Sequence, residues 1–107
     1  MRKGLIEDSN EAIEKELTEA NKQFRAFAST HEGIAVILEE LEETEDELND
    51  LKSQMKQLWI MTKKDATKEK FETALEHMNQ TATDMVEEAI QTAAMIRKLQ
   101  QFNGKRV

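Results

Sequence analysis

The stretch "HEGIAVILEELEETEDELND", residues 31–50, combines nine carboxylates with a regular apolar stripe. The apolar residues recur at the spacings of one helix face: Ile34, Ile37, Leu41 and Leu48. The same spacing continues to Leu58, so we expect one long helix over about residues 30–60. Its carboxylates are either a face turned to water or ligands gathered around a metal ion.

The composition favours an all-α fold. The chain has no proline, no tyrosine and only three glycines among 107 residues, and good helix formers abound. With so few helix breakers, little room is left for a turn-rich β fold. A chain of this length is typical of one domain, so we expect a single helical domain over residues 1–107.

Two further helices are predicted on either side of the acidic one. The first covers about residues 9–28, with Asp8 or Ser9 as its cap. The third covers about residues 66–102, with Asp65 or Thr67 as its cap and Gly104 in the turn that follows its end.

Helix three is long for a small protein, and a break near residues 79–83 would make a fourth helix, capped by Thr81 or Thr83. Short connections between the helices predict an antiparallel bundle of three to four helices. Because helices of unequal length leave apolar surface uncovered, we expect a homo-oligomer, a dimer or a tetramer.

The start of the acidic helix carries the clearest local signal. Ser29 followed by Glu32 matches the capping box, in which each side chain satisfies a free backbone N–H group. Gly33 in the first turn costs about 1 kcal/mol relative to alanine, which indicates that a side chain there would meet a neighbour.

Charge and composition exclude several classes of function. The net charge is −7, and no broad basic stripe is present, so a nucleic acid polymer is not expected as a partner. The absence of cysteine excludes thiol nucleophiles and cysteine metal sites. No run of about 18–20 apolar residues is present, so we expect no membrane partner and a cytoplasmic location.

The carboxylates of the acidic helix are crowded on one side. Glu40, Glu43 and Glu47 share that side, and like charges at these spacings destabilise a helix by a few tenths of a kcal/mol each. On helix three, Glu88 and Gln91 flank the apolar stripe in the same way. Two antiparallel helices with these patterns would face oxygen ligands towards a shared Mg²⁺ ion. The alternative interpretation is that these carboxylates form a charged helix face exposed to solvent, which would have the same spacing.

Two segments carry a resemblance to a known family. "FASTHEGIAVILEELEE" (27–43) followed by "EEAIQTAAM" (87–95) resembles the MazG-like nucleotide pyrophosphohydrolases, most of all their small phage and prophage members. Glu39, Glu40 and Glu43 match the first acidic motif of that superfamily, and Glu88 matches the glutamate of the second. Gln91 departs from the pattern, because the family has an aspartate at this position.

The resemblance implies a hydrolase that cleaves (deoxy)nucleoside triphosphates to the monophosphate and pyrophosphate. It implies that Mg²⁺, or Mn²⁺ in its place, is held by these four residues: Glu40, Glu43, Glu88 and Gln91. The base that accepts a proton from the attacking water would be Glu39 or Glu47.

Four further residues are candidates for binding the nucleotide: His31, Lys52, Lys56 and Arg97. The alternative interpretation is a catalytically inactive interaction or regulatory protein of phage origin that kept the fold, and Gln91 is the feature that favours it.

Overall fold

The structure is a computed structural model that describes residues 2–102, and within this range it consists of three α-helices. They are α1 (Lys3–Gln23), α2 (Thr30–Lys63) and α3 (Lys68–Gln100). The predicted all-α helical bundle is therefore confirmed. The turn predicted at Gly104 lies outside the described residues.

Helix α1 is shifted towards the N-terminus relative to the prediction. Asp8 and Ser9 lie inside the helix, and the residue at its N-cap position, Arg2, makes no capping hydrogen bond through its side chain. The helix ends before Phe24, where the backbone becomes extended. The extended segment then brings Phe27, only 8 % exposed, into the core.

The N-terminus of α2 is capped largely as the sequence predicts. The Ser29 hydroxyl accepts a hydrogen bond from the Glu32 N–H at 3.1 Å. The Glu32 carboxylate accepts from the Ala28 N–H at 3.1 Å and binds the Arg25 guanidinium at 2.7 and 2.9 Å. The Glu32 carboxylate therefore binds Arg25 and Ala28 in the preceding loop. In a complete capping box it would instead accept a hydrogen bond from the Ser29 N–H.

Gly33 lies where α2 packs closely against the end of α3. A Cβ atom at this position would lie 2.5 Å from Leu99 Cδ1 and 3.1 Å from the Phe27 ring. The glycine therefore permits the close packing of the two helices, as its unfavourable helix propensity indicated.

The turn between α2 and α3 contains Asp65 in the left-handed region, with φ of 50°, which aspartate tolerates better than most residues. Thr67 caps α3 by accepting from the Lys70 N–H at 3.3 Å. The helix then runs unbroken to its end. Thr81 and Thr83 donate to carbonyls one turn earlier in the same helix, so neither caps a new one.

Helices α2 and α3 pair as a long antiparallel hairpin. The Gln54 amide donates to the Thr81 hydroxyl at 2.9 Å near its middle, and Glu40 faces Glu88 nearer the open end. Helix α1 packs against the last third of α3, where Arg97 binds Glu14 and Asn10.

The resulting molecule is elongated, with dimensions of 60 × 30 × 25 Å. Its buried apolar core is small. Leu17, Ala20, Phe27 and Ala94 lie where α1 and the segment after it meet the end of α3, whereas Leu58 lies on α2 near the turn into α3. No helix within residues 2–102 is long and apolar enough to cross a membrane.

Candidate metal centre

Three carboxylates from two helices converge on one side of the hairpin. Glu40 and Glu43 project from α2 and Glu88 projects from α3, and one oxygen of each lies within 4.8 Å of the others. The spacing of three on α2 places both of its carboxylates on the side that faces Glu88. The structure thus brings together the residues that the sequence proposed as metal ligands.

Gln91 completes the group from the next turn of α3. Its amide lies between the two helices and, in the orientation that satisfies both neighbours, donates to Glu40 Oε2 at 3.2 Å and to Glu88 Oε2 at 3.3 Å. Rotation of the amide by half a turn presents its oxygen at the same place. The side chain is therefore suited both to bridging two carboxylates and to acting as an oxygen ligand.

Ionisation of all three carboxyl groups at once is unfavourable. Partial burial, followed by the hydrogen bonds and charges of Glu43 and Glu40, raises the pKa of Glu88 to about 7. Burial also raises the pKa of Glu40, and the charges of Glu43, Glu39 and Glu16 act in the same direction, whereas the hydrogen bond with Glu88 opposes the change. Without a cation, Glu88 therefore holds its proton up to about pH 7 and is half ionised there.

The donor set and its dimensions fit a hard divalent cation. Opposite oxygen ligands of Mg²⁺ lie about 4.1 Å apart, and those of Ca²⁺ about 5 Å apart. Carboxylate oxygens that already lie within 4.8 Å of one another need only side-chain adjustments to meet on such an ion. Three carboxylates and one amide oxygen would leave room in an octahedron for water or phosphate oxygens.

The two residues predicted as proton acceptors lie on either side of the cluster. Glu39 is exposed, and its charge contributes to the raised pKa of Glu40. Glu47 is half-buried one turn further along α2, where burial and then the charge of Asp84 raise its pKa. Of the two, Glu47 has the environment better suited to accepting a proton.

Three of the residues predicted to bind substrate are directed away from the cluster. At about 100° per residue, nine positions correspond to half a revolution, so Lys52 lies on the side of α2 opposite Glu43, and His31 on the side opposite Glu40. Lys56 lies only about 40° further round the helix than Lys52. Within one chain, these side chains do not reach the site.

Arg97 is also engaged elsewhere. Its guanidinium donates to Glu14 at 2.7 Å and to Asn10 at 2.8 Å, so it attaches α1 to α3 rather than lining the acidic cluster. The sequence prediction that these four residues bind substrate therefore finds no support within one chain. Lys52 and Lys56 are close to the acidic stretch in the sequence, but their side chains lie on a different side of α2 from Glu40 and Glu43.

A cleft of about 490 Å³ opens beside the cluster, between α1, the start of α2 and the end of α3. Glu40 and Gln91 form one end of it, and Phe24, Arg25 and Lys98 line the remainder. Its volume lies in the range of small-molecule binding sites.

Sequence reasoning missed the two cations of this cleft. Lys98 is buried to 7 % exposure, with its ammonium 4.8 Å from the centre of the Phe27 ring. Arg25 is bound to Glu32, and this pairing lowers the pKa of the Glu32 carboxyl. Lys98 follows Gln91 by seven residues, two turns along the same face of α3, which was the signal available in the sequence.

The chain matches no protein-family model, no curated protein and no solved structure. The likeness to the MazG-like enzymes therefore rests on the two acidic motifs of the sequence alone.

Proposed function

We propose that this protein is a divalent-metal-dependent nucleoside triphosphate pyrophosphohydrolase of the MazG-like type, active in the cytoplasm. It would cleave (deoxy)nucleoside triphosphates to the monophosphate and pyrophosphate with Mg²⁺ or Mn²⁺. The observation that carries the proposal is the convergence of Glu40 and Glu43 from α2 with Glu88 from α3.

The energetics of the cluster support a cation at this site. Three carboxylates held close together in a partly buried position destabilise the folded chain unless a positive charge or a proton offsets them. The raised pKa of Glu88 is the sign of this cost. A divalent cation would remove it and would displace the bound proton.

The residues around the cluster have separable roles in the proposed reaction. A bound Mg²⁺ would offset the charge that builds on the phosphate oxygens and would favour ionisation of the attacking water. Glu47, or Glu39 as the alternative, accepts the proton as the water oxygen bonds to the α-phosphorus and the bond from that phosphorus to the bridging oxygen breaks.

The cleft beside the cluster would hold the nucleoside part of the substrate. Phe24 offers an exposed aromatic ring at its rim, and Lys98 supplies a positive charge between the cluster and the loop before α2. The volume of about 490 Å³ accommodates a base and a sugar.

Calorimetric titration with Mg²⁺ or Mn²⁺ tests the metal site directly. We expect heat of binding from the wild-type protein and none from the double variant Glu40→Gln, Glu43→Gln. A matched control, Glu42→Gln with Asp46→Asn, removes the same charge from other sides of α2 and should bind as the wild type does. Equal heats from the wild type and the first variant would exclude the site.

Pyrophosphate release over a panel of ribonucleoside and deoxyribonucleoside triphosphates tests the activity. We expect release that requires the metal and is lost in the Glu40→Gln, Glu43→Gln variant. The panel also establishes the preferred base and sugar.

Gln91 supports the second candidate function, a catalytically inactive interaction or regulatory protein. An amide that bridges Glu40 and Glu88 stabilises the cluster without an ion, and it supplies one negative charge fewer than aspartate would. Substitution Gln91→Asp should tighten metal binding. If neither the wild type nor this variant releases pyrophosphate although both bind the metal, the second function is the better description.

A further inference from the structure

The end of the cleft that lies furthest from the acidic cluster holds a lysine without an acceptor. Lys98 is only 7 % exposed, yet within residues 2–102 its ammonium makes no ion pair and no hydrogen bond. It lies 4.8 Å from the centre of the Phe27 ring, which attracts the charge but offers no lone pair. A buried donor without an acceptor costs free energy, and a ligand that brings an acceptor atom to Lys98 would remove this cost.

The other charged groups at this end of the cleft are already engaged. Both terminal nitrogens of Arg25 donate to Glu32, at 2.9 and 2.7 Å, and the Ala28 N–H donates to the same carboxylate at 3.1 Å. A carboxylate has about four acceptor positions, so one remains free, on Oε2. This end of the cleft therefore presents unused donors on Lys98 and one unused acceptor on Glu32.

The lysine and the glutamate are close enough to act on the same ligand. Hydrogen bonds from Arg25 and Ala28 lower the pKa of Glu32, and the charge of Lys98 acts in the same direction. The Glu32 carboxyl is therefore ionised at neutral pH and can only accept hydrogen bonds, whereas the Lys98 ammonium can only donate them.

The middle of the cleft is apolar. Ala20 of α1, Val36 of α2 and Met95 of α3 line it, and the exposed Phe24 ring lies at its rim. Met95 follows Gln91 by four residues and precedes Lys98 by three, so it separates the acidic end from the end with the free donor. Such a surface suits the faces of a flat aromatic ring.

The length of the cleft matches that of a nucleotide. Lys98 lies seven residues beyond Gln91, which corresponds to about 10.5 Å along α3. A nucleotide in an extended conformation spans about this length from its α-phosphate to the far edge of its base. With the phosphate at the acidic cluster, the base would lie in the apolar middle and its edge would reach Lys98.

We propose that Lys98 and Glu32 select nucleotides whose base carries a keto group next to a ring N–H, as uracil, thymine, guanine and hypoxanthine do. The keto oxygen accepts a hydrogen bond from Lys98, and the ring N–H donates to the free position of Glu32. This inference rests on the proposed function, because the metal site fixes the phosphate end of the substrate.

The same pair of residues discriminates against cytosine and adenine. The corresponding edge of these bases carries an NH2 group next to a ring nitrogen without a proton. The NH2 group would meet the Lys98 ammonium, donor against donor, and the lone pair of the ring nitrogen would meet the Glu32 carboxylate. Because such mismatches leave buried polar groups unpaired, we expect a discrimination of about ten- to a hundredfold.

Matched pairs of substrates test this selection in the full chain. The members of the pairs dUTP and dCTP, and dITP and dATP, differ only at the edge in question. In the wild type, kcat/KM for pyrophosphate release with Mg²⁺ should be about ten- to a hundredfold higher for dUTP and dITP than for their amino counterparts.

Substitution Lys98→Met removes the ammonium and keeps the apolar length of the side chain. It should reduce the difference within each pair to about threefold or less, mainly by slowing the reaction of dUTP and dITP. The matched control is Lys70→Met, which removes the same charge from an exposed position of α3 and should keep the wild-type preference. Circular dichroism and the heat of Mg²⁺ binding verify that the fold and the metal site are intact in both variants.

Binding of the monophosphates separates this inference from the proposed function. Calorimetry with dUMP and dCMP in the presence of Mg²⁺ should show tighter binding of dUMP to the wild type, by about ten- to a hundredfold, and equal binding to Lys98→Met. A protein that binds in this way but cleaves no triphosphate would refute the hydrolase and retain the base selection. Cleavage at equal rates within both pairs would do the opposite.

Four further results would overturn the selection by Lys98. They are equal binding of dUMP and dCMP by the wild type, no binding of either, a folded Lys98→Met variant that keeps the wild-type preference, and a Lys70→Met variant that loses it to the same extent. If Lys98→Met does not fold, the wild-type comparison within the two matched pairs decides by itself.

Discussion

Substitution Glu88→Gln separates the stability of the acidic cluster from its proposed function. The change keeps the shape of the side chain, replaces one carboxyl oxygen with an amide NH2 donor and removes the negative charge. In the folded chain the ordinary pKa of this carboxyl, 4.5, is raised to about 7. At roughly 1.4 kcal/mol per pKa unit this corresponds to about 3 kcal/mol, which solvent screening and proton sharing within the cluster reduce to about 1–2 kcal/mol.

The sign of the pH dependence follows from proton binding. Between about pH 4.5 and pH 7 the folded chain holds a proton on Glu88 that the unfolded chain has released, so the free energy of unfolding falls as the pH rises through this range. The Glu88→Gln variant lacks this contribution. It should match the wild type near pH 4.5 and exceed it by about 1–2 kcal/mol at pH 8 when no metal is present.

Addition of Mg²⁺ should reverse the order. An ion that binds only the folded chain stabilises it in proportion to the logarithm of its concentration relative to the dissociation constant. We expect this gain for the wild type and not for Glu88→Gln, because the variant supplies one ligand charge fewer. The variant would therefore be more stable without metal and less responsive to it.

Urea denaturation followed by circular dichroism measures both effects, at pH 5 and pH 8, with chelator or with Mg²⁺, and at one fixed protein concentration. The matched control is Glu87→Gln, which removes the same charge from the neighbouring exposed residue and should change neither quantity. The reasoning fails if Glu88→Gln behaves like this control without metal. It also fails if Mg²⁺ stabilises Glu88→Gln as much as the wild type.

Three further predictions concern the scaffold. Gly33→Ala should destabilise the chain by about 1 kcal/mol in thermal denaturation despite its better helix propensity, because its Cβ would meet Leu99 at 2.5 Å, and the cost should largely vanish in a Leu99→Ala background. Gly4→Ala is its control, since nothing lies within 4 Å of that position, and it should be neutral or stabilising by up to about 1 kcal/mol. Ser29→Ala should cost about 1 kcal/mol of unfolding free energy through loss of the α2 cap, and an equal stability of both proteins would show that the 3.1 Å hydrogen bond to Glu32 contributes nothing. Arg97→Ala should lower stability by about 0.5–1 kcal/mol and accelerate hydrogen exchange in α1 more than in the middle of α2, whereas uniform acceleration would contradict its role in attaching α1.

The sequence alone was sufficient for features that depend on residues close together in the chain. The all-α class and the long α2 follow from helical spacing and from the absence of helix breakers. The cap at Ser29, and Thr67 as one of the two candidate caps of α3 beside Asp65, follow from side chains that reach backbone groups only three residues away. The same periodicity identified Glu40, Glu43 and Glu88 as side chains on the facing sides of two antiparallel helices.

Features that depend on how helices are placed in space required the tertiary structure. Helix α1 could not be bounded correctly, because its end is set by the need to bring Phe27 into the core. The unbroken α3 reflects packing along the hairpin, which satisfies Thr81 with Gln54 and leaves no reason for a new start.

The cleft beside the cluster also depends on how the helices are placed in space. Lys98 and Arg25 reach it only because α1 and the loop that follows it pack against the end of α3, an arrangement that no local pattern specifies. Hydrogen bonds and caps act over a few residues, whereas the position of one helix against another is decided by contacts between residues far apart in the chain. The sequence therefore determined which side chains each helix presents, and the tertiary structure decided which of them meet.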